Sequence, residues 1–315
     1  MSMDNSRRDF LKQAGAATLA LGAMTQGGSI AMAAPAKRTY GVSVAAWSLH
    51  RTIGEGDGKT PMLDMPKLVR EQWDIEAIEL VNKMLASTDQ AYLEQLKKNA
   101  ADHNVKILLI MIDGEGNIGD KSEKEIEKAI AGHKKWIDIA SFFGCHSVRM
   151  NWAGAPKNWE KNEEELNAFI ERSAPGFRTL CDYADTKGMF VIIENHGGPS
   201  SNPAMVDKLM AAVKHPRFGT LPDFGNFPEG TDIYAGIDSL MKHAHLAVSA
   251  KCYDFDPATG LHTDHPKEVD FEKMLQIVCD KHGYTGYIGI EYEGDKMPEF
   301  DGIAAANALL IKLRG

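Results

Sequence analysis

The chain has 315 residues, 43% of them hydrophobic and 25% charged, and a formal net charge of -9. Those proportions belong to an ordinary globular protein with a sizeable core. The acidic balance argues against nucleic acid or an anionic membrane surface as a partner.

Taken in chain order, the first recognisable stretch is Ser6-Arg7-Arg8-Asp9-Phe10-Leu11-Lys12, which resembles the twin-arginine export signal. Residues 14–24 follow as an apolar run too short and too rich in Ala and Gly to span a bilayer. Ala31-Met32-Ala33 supplies the small residues of a cleavage site. Residues 1–33 are therefore expected to be a signal peptide and residues 34–315 the folded domain. The mature protein is expected in the periplasm, with no stable membrane anchor. The four cysteines, Cys145, Cys181, Cys252 and Cys279, have no metal-binding or redox spacing and read as core residues.

Residues 40–47 give the first predicted strand, and Gly54, Gly56 and Gly58 mark the loop after it. A helix begins near Asp64, with Pro66 in its first turn, and runs to Trp73. A strand over residues 75–81 leads to Ser87-Thr88-Asp89-Gln90, which has the form of a capping box opening a helix to about His103. A strand over 105–112 precedes a helix capped by Ser122 and ended by Gly144, and then a strand over 146–150. The spacing predicts a helix over 160–187 and a strand over 189–194. Asn202-Pro203 opens a helix to Lys214, followed by a strand over 218–223. A helix over 233–244, a strand over 245–251, a helix from Asp270 to Gly283, a strand over 287–291 and a helix over 298–313 complete the chain. Eight strands alternating with eight helices imply a parallel sheet, and about 275 residues fit one (β/α)8 TIM barrel. No Gly-x-Gly-x-x-Gly turn follows any strand, which counts against an open doubly wound sheet.

Three apolar strands run into acids: Phe190-Val191-Ile192-Ile193-Glu194, Phe218-Gly219-Thr220-Leu221-Pro222-Asp223 and Tyr287-Ile288-Gly289-Ile290-Glu291. A bare carboxylate on a buried strand costs several kcal/mol, of order 3–5, unless it is paired, metal-bound or open to a cleft. Barrel enzymes gather their reacting groups at the C-terminal ends of strands. Those ends carry Trp47, Glu79, Asp113, Arg149, Asn151, Glu194, His196, Asp223, Asn226, Lys251, Glu291 and Glu293. Three acids beside an imidazole suit a hard or borderline divalent cation such as Mn or Mg. Arg149 and Asn151 are candidates for polar contacts with a substrate, with an Arg149–Glu79 ion pair as the alternative. Trp47 and Trp152 are candidates for stacking on a substrate ring, and His196 for metal or substrate.

At this point the chain resembles the sugar-phosphate isomerase/epimerase superfamily of xylose-isomerase-like barrels. The resemblance lies in Ile78-Glu79-Leu80, Ile193-Glu194-Asn195-His196-Gly197-Gly198, Asp223-Phe224-Gly225-Asn226-Phe227 and Ile290-Glu291-Tyr292-Glu293-Gly294. It implies a metal held by a Glu, an Asp, a His and a second Glu, three of which fall on Glu194, Asp223 and Glu291. The fourth departs: Ser249-Ala250-Lys251-Cys252 stands where the family reads His-x-Lys-Asp. Asn226 likewise stands where several members carry a substrate-binding His.

The resemblance implies an isomerase or epimerase that takes a proton from the carbon beside a carbonyl, with Glu194 and Glu291 as acid and base and Lys251 in support. The expected partner is a small carbohydrate. No basic phosphate loop follows the last two strands, so an unphosphorylated sugar, cyclitol or oxo-glycoside is expected. A leaving group on the next carbon would turn the same step into elimination, releasing the aglycone of a 3-oxo glycoside. Ser249 also motivates a different class of function, a sugar-binding barrel without catalysis. Lys251 could hold the acids together with no metal, and association into a homo-oligomer is left open.

Overall fold

The computed structural model describes residues 37–55, 58–256, 259–262 and 269–315. The predicted signal, residues 1–33, and Gly56 lie outside them. Eight strands form one sheet: β1 (Gly41–Ala45), β2 (Ala77–Val81), β3 (Lys106–Ile112), β4 (Ser147–Met150), β5 (Phe190–Glu194), β6 (Phe218–Leu221), β7 (Ala247–Cys252) and β8 (Tyr287–Tyr292). Their order is β6-β5-β4-β3-β2-β1-β8-β7, and every pairing is parallel. The two ends of that order meet through parallel bridges at Thr220–Ala244 and Asp223–Ser249, so the sheet is a nearly closed barrel. Strands such as β3, buried from its second residue onward, are apolar on both faces because helices cover the outside and side chains fill the centre.

The helices between them are Met65–Trp73, Gln90–Asp102, Glu123–Phe143, Glu163–Asp185, Pro203–Val213, Ile233–Leu240, Phe271–Leu275 and Glu299–Arg314. Three expected caps form: the side chains of Ser122, Asn202 and Asp270 accept from the backbone N–H of Glu125, Ala204 and Lys273. The capping box at Ser87 does not. Its hydroxyl accepts from Asp89 N–H in a local turn, and the helix starts at Gln90 without a side-chain cap. The helix predicted over 160–187 is divided, because Asn162 caps a fresh start at Glu163 after a 3-10 turn at Trp159–Lys161. β1 ends at Ala45, and Trp47 lies in the 3-10 turn Ala46–Leu49 that follows. All four cysteines are buried thiols with no disulfide partner among the described residues.

The chain is fastened at its described start by Arg38. Its guanidinium donates to both oxygens of Glu272, to both of Asp280 and to the Leu313 carbonyl. This ties the segment before β1 to the helices flanking β8. Hydrogen bonds to Arg38 hold both carboxyls below their ordinary values. Their stabilisation is complete above the ordinary carboxylate range and lost as pH falls through the lowered values. Both carboxylates are 41–43% exposed, which moderates the gain. Arg38→Ala should therefore lower stability by about 1–3 kcal/mol in urea unfolding near neutral pH. The difference from wild type should shrink when the comparison is repeated in acid.

Candidate active site

Parallel strands deliver their C-terminal ends to one mouth, and this brings the three strand-end acids together. Glu194 closes β5, Asp223 lies two residues past β6, and Glu291 sits near the end of β8. Each offers an oxygen within 4.8 Å of the other two, and all three are buried. Lys251 pairs in register with Glu291 across β7 and β8. The bridge that closes the barrel sets Ser249 against Asp223.

Asp223 is positioned by its own backbone and by Asn195. The Asn195 amide donates to the Asp223 carbonyl at 2.9 Å and accepts from the Asp223 N–H at 2.7 Å. Asp223 Oδ1 accepts from the N–H groups of Gly225 and Asn226, each at 2.8 Å. Oδ2 is buried without a hydrogen bond, and Lys251 Nζ lies 4.0 Å from it.

Glu194 and Glu291 have different companions. Glu194 Oε1 accepts from the Asn226 amide at 2.9 Å. Its Oε2 lies 2.8 Å from Arg149 Nε, an ion-pair distance, yet the angle makes no hydrogen bond for either atom. Arg149 also donates to Asp113 Oδ1 at 2.8 Å, and Asn151 donates to the same oxygen. Glu291 receives Lys251 Nζ on Oε1 and the Ser249 hydroxyl on Oε2, both at 3.0 Å. Lys251 reaches Glu293 as well, at 3.1 Å. Ser249, standing at the family's His position, is thus a donor to one of the acids.

Several expected residues sit differently. Arg149 pairs with Glu194 and Asp113 rather than with Glu79. Glu79 is 1% exposed inside the barrel, accepts from the Ser43 hydroxyl at 2.6 Å, and occupies space left bare by Gly289. Trp47 is half-buried with one ring face stacked on His50, centroids 5.1 Å apart. Trp152 belongs to the core, stacked on Phe169 with its Nε1 donating to Ser173. His196 is exposed at the mouth, and its imidazole bears electrostatically on Asp113 and Glu194. Asp113, Asn151, Asn226 and Glu293 complete a partly exposed rim above the buried acids.

Charge at this mouth does not balance. Six carboxyl groups (Glu79, Asp113, Glu194, Asp223, Glu291, Glu293) face two permanent cations, Arg149 and Lys251. Burial pushes Glu79 up to about 7. Burial, with the Glu291 charge nearby, also raises Glu194, against the pull of Arg149. Asp223 is raised well above its ordinary value by burial. Burial acts on Glu291 in the same sense, but Lys251 and Arg149 outweigh it and hold that carboxyl below the usual range. Lys251 is itself held protonated by Glu291, Asp223 and Glu293 despite its burial.

Comparison with known proteins agrees with this architecture. The profile of the xylose isomerase-like TIM barrel family matches residues 66–313. No protein of curated function matches the chain in sequence. Among solved structures, a xylose isomerase-like TIM barrel protein from Mycobacterium smegmatis in complex with magnesium is 20% identical, with a TM-score of 0.63 over 88% of this chain and 98% of that one. The 3-keto-D-glucoside 4-epimerase of E. coli, in its apo form, is 15% identical, with a TM-score of 0.64 over 88% and 99%. A probable 3-DHS dehydratase from Bacillus anthracis is 17% identical, with a TM-score of 0.64 over 86% and 98%. At these identities the likeness is one of fold. From its matched profile, its barrel and the order of its strand-end residues, the chain belongs to the xylose isomerase-like TIM barrel family.

Proposed function

We propose that this barrel is a metal-dependent isomerase or epimerase acting on an unphosphorylated sugar or cyclitol. The observation that carries the proposal is the meeting of Glu194, Asp223 and Glu291 oxygens within 4.8 Å, from three different strands. The residues present fit a hard divalent cation. Asp223 Oδ2 is buried without a hydrogen bond, Glu194 Oε2 has only its misaligned ion pair with Arg149, and carboxyl groups outnumber permanent cations. An all-carboxylate set suits Mg or Mn, and the Ser249 hydroxyl, given to Glu291, leaves the acids as the holding groups. Bound there, such an ion would polarise the carbonyl or hydroxyl oxygen of the sugar.

The chain's own residues set up the proton transfer. Lys251 and Arg149 keep Glu291 ionised, and burial favours a proton on Glu194. Two carboxyl groups whose environments push them apart make an acceptor and a donor. Glu291 takes the proton from the carbon beside the carbonyl, leaving an enediolate, and Glu194 returns one to the same carbon or, once the adjacent hydroxyl has passed its proton to the enediolate oxygen, to the former carbonyl carbon. Asn226 and Arg149 fix the Glu194 carboxyl while this happens. Substrate hydroxyls meet the rim of His196, Asn151 and Asn226, with Trp47 alongside. Both permanent cations are already engaged by carboxylates, so neither is free to bind a phosphate dianion. The twin-arginine resemblance supports a periplasmic site of action.

In deuterated water the metal-loaded protein should place deuterium beside the carbonyl of its ketose substrate, read by mass spectrometry. Glu291→Gln and Glu194→Gln should each cut that exchange by about 10²–10⁴-fold. A full panel of ketoses and oxo-cyclitols left unlabelled by well-folded, metal-loaded protein would falsify the reading. Asn195→Ala should weaken metal binding by about 10–100-fold through loosening of Asp223, measured by titration against a chelator. Replacing Arg7 and Arg8 together with Lys should hold the protein in the cytoplasm, and unchanged periplasmic recovery would contradict the export assignment.

A further inference from the structure

The loops after β4 and β5 enclose a second space beside the acid centre. A cavity of about 400 Å³ is lined by Asn151, Gly154, Trp159, His196, Gly197 and Pro199, among others. Small-molecule pockets span roughly 300–1,000 Å³. Two of its residues belong to both spaces. Asn151 donates to Asp113, which in turn holds Arg149 beside Glu194. His196 lines the cavity and follows Glu194 by two residues on the loop after β5. The cavity wall is therefore tied to the proposed reaction centre through Asn151, Asp113 and Arg149.

Its walls are unlike those of the acid centre. Gly197 and Gly198 have φ values of +89° and +58°, and no heavy atom lies within 4 Å of where a Cβ would stand on either. The left-handed backbone keeps side chains off that wall, and the turn is held from behind by Ser200 and Ser201, whose hydroxyls take up the N–H of His196 and both peptide groups of Gly197. Trp159, in the 3-10 turn Trp159–Lys161, is half-buried and lines the same space. Trp152 is fully engaged with Phe169 and Ser173, so Trp159 is the indole with a face to offer. His196 is the one titratable side chain in the lining. An indole, a wall of glycines without side chains and little charge make a slot for a neutral ring, either a sugar or an aromatic aglycone.

We infer that the substrate is a glycoside in two parts, with a carbonyl-bearing sugar ring at the acid centre and its glycosidic substituent in the cavity between the β4 and β5 loops. The inference rests on the proposed carbohydrate chemistry for the reacting ring, while the cavity decides the size of the substrate. It is tested with full-length metal-loaded protein and three probes: 3-oxo-glucose, its methyl glycoside and its phenyl glycoside. Calorimetry gives each Kd, and deuterium incorporation from solvent is followed in parallel. The phenyl glycoside should bind about tenfold more tightly than the free sugar, or better. That advantage should disappear in Trp159→Ala, and in Ala155→Phe, which fills the cavity from another wall. Equal Kd values for all three probes overturn the inference, as does an advantage that survives both substitutions. Deuterium exchange in free 3-oxo-glucose without any glycoside preference sinks the two-part substrate alone. Glycoside preference without exchange supports the cavity and sinks the proton-transfer reading. Failure of every probe to bind overturns both.

Discussion

Mutual repulsion among carboxyl groups withdrawn from water governs the architecture of this barrel mouth. Glu194, Asp223 and Glu291 are at most 3% exposed, and Glu79 lies as deep. A set of like charges so placed stays folded only if protons, cations or hydrogen bonds compensate it. Arg149 and Lys251 supply part of that compensation, and each is shared between two or more acids. Burial supplies another part by favouring protons on Glu79 and Asp223. What remains uncompensated is one Asp223 oxygen and one Glu194 oxygen lacking hydrogen bonds, the atoms on which the proposed cation would draw.

The same charges give the two glutamates unlike surroundings. Lys251 is pinned in register beside Glu291 by the β7–β8 pairing, so its positive charge cannot be shared evenly with Glu194. Glu194 instead has Arg149, whose charge is also drawn toward Asp113. A difference in proton affinity between two neighbouring acids follows from strand order, before any substrate arrives. Ser249 takes part in this arrangement twice. It lies in the bridge that draws β6 and β7 together, and its hydroxyl supports the Glu291 carboxylate.

Much of this was legible in the chain. Apolar runs ending in acids located β5, β6 and β8 and named the three converging residues, because a parallel barrel puts all its strand ends at one mouth. The alternative of an Arg149–Glu79 ion pair gives way to Asp113 and Glu194 for a reason that strand order makes plain. β4 lies between β3 and β5, so Asp113 and Glu194 are its neighbours, whereas Glu79 on β2 is one strand further away. Asn195 read as one more polar residue after Glu194. Its clamp on Asp223 spans 28 positions and needs the neighbouring strand in place. Trp152 could not be told from Trp159 by sequence, since the difference lies in whether a ring meets Phe169 or an open space. The cavity itself depends on left-handed backbone at Gly154, Gly197 and Gly198, which fixes loop paths that composition leaves free.

The central claim is that the three acids jointly hold a cation, and anomalous diffraction from crystals grown with manganese tests it most directly. Manganese held there gives a single strong peak with an oxygen from each of Glu194, Asp223 and Glu291 at about 2.0–2.6 Å, the span of oxygen-ligand distances from magnesium to calcium. A map with no peak there, and with Lys251 and Arg149 as the sole cations between the three carboxylates, would contradict it.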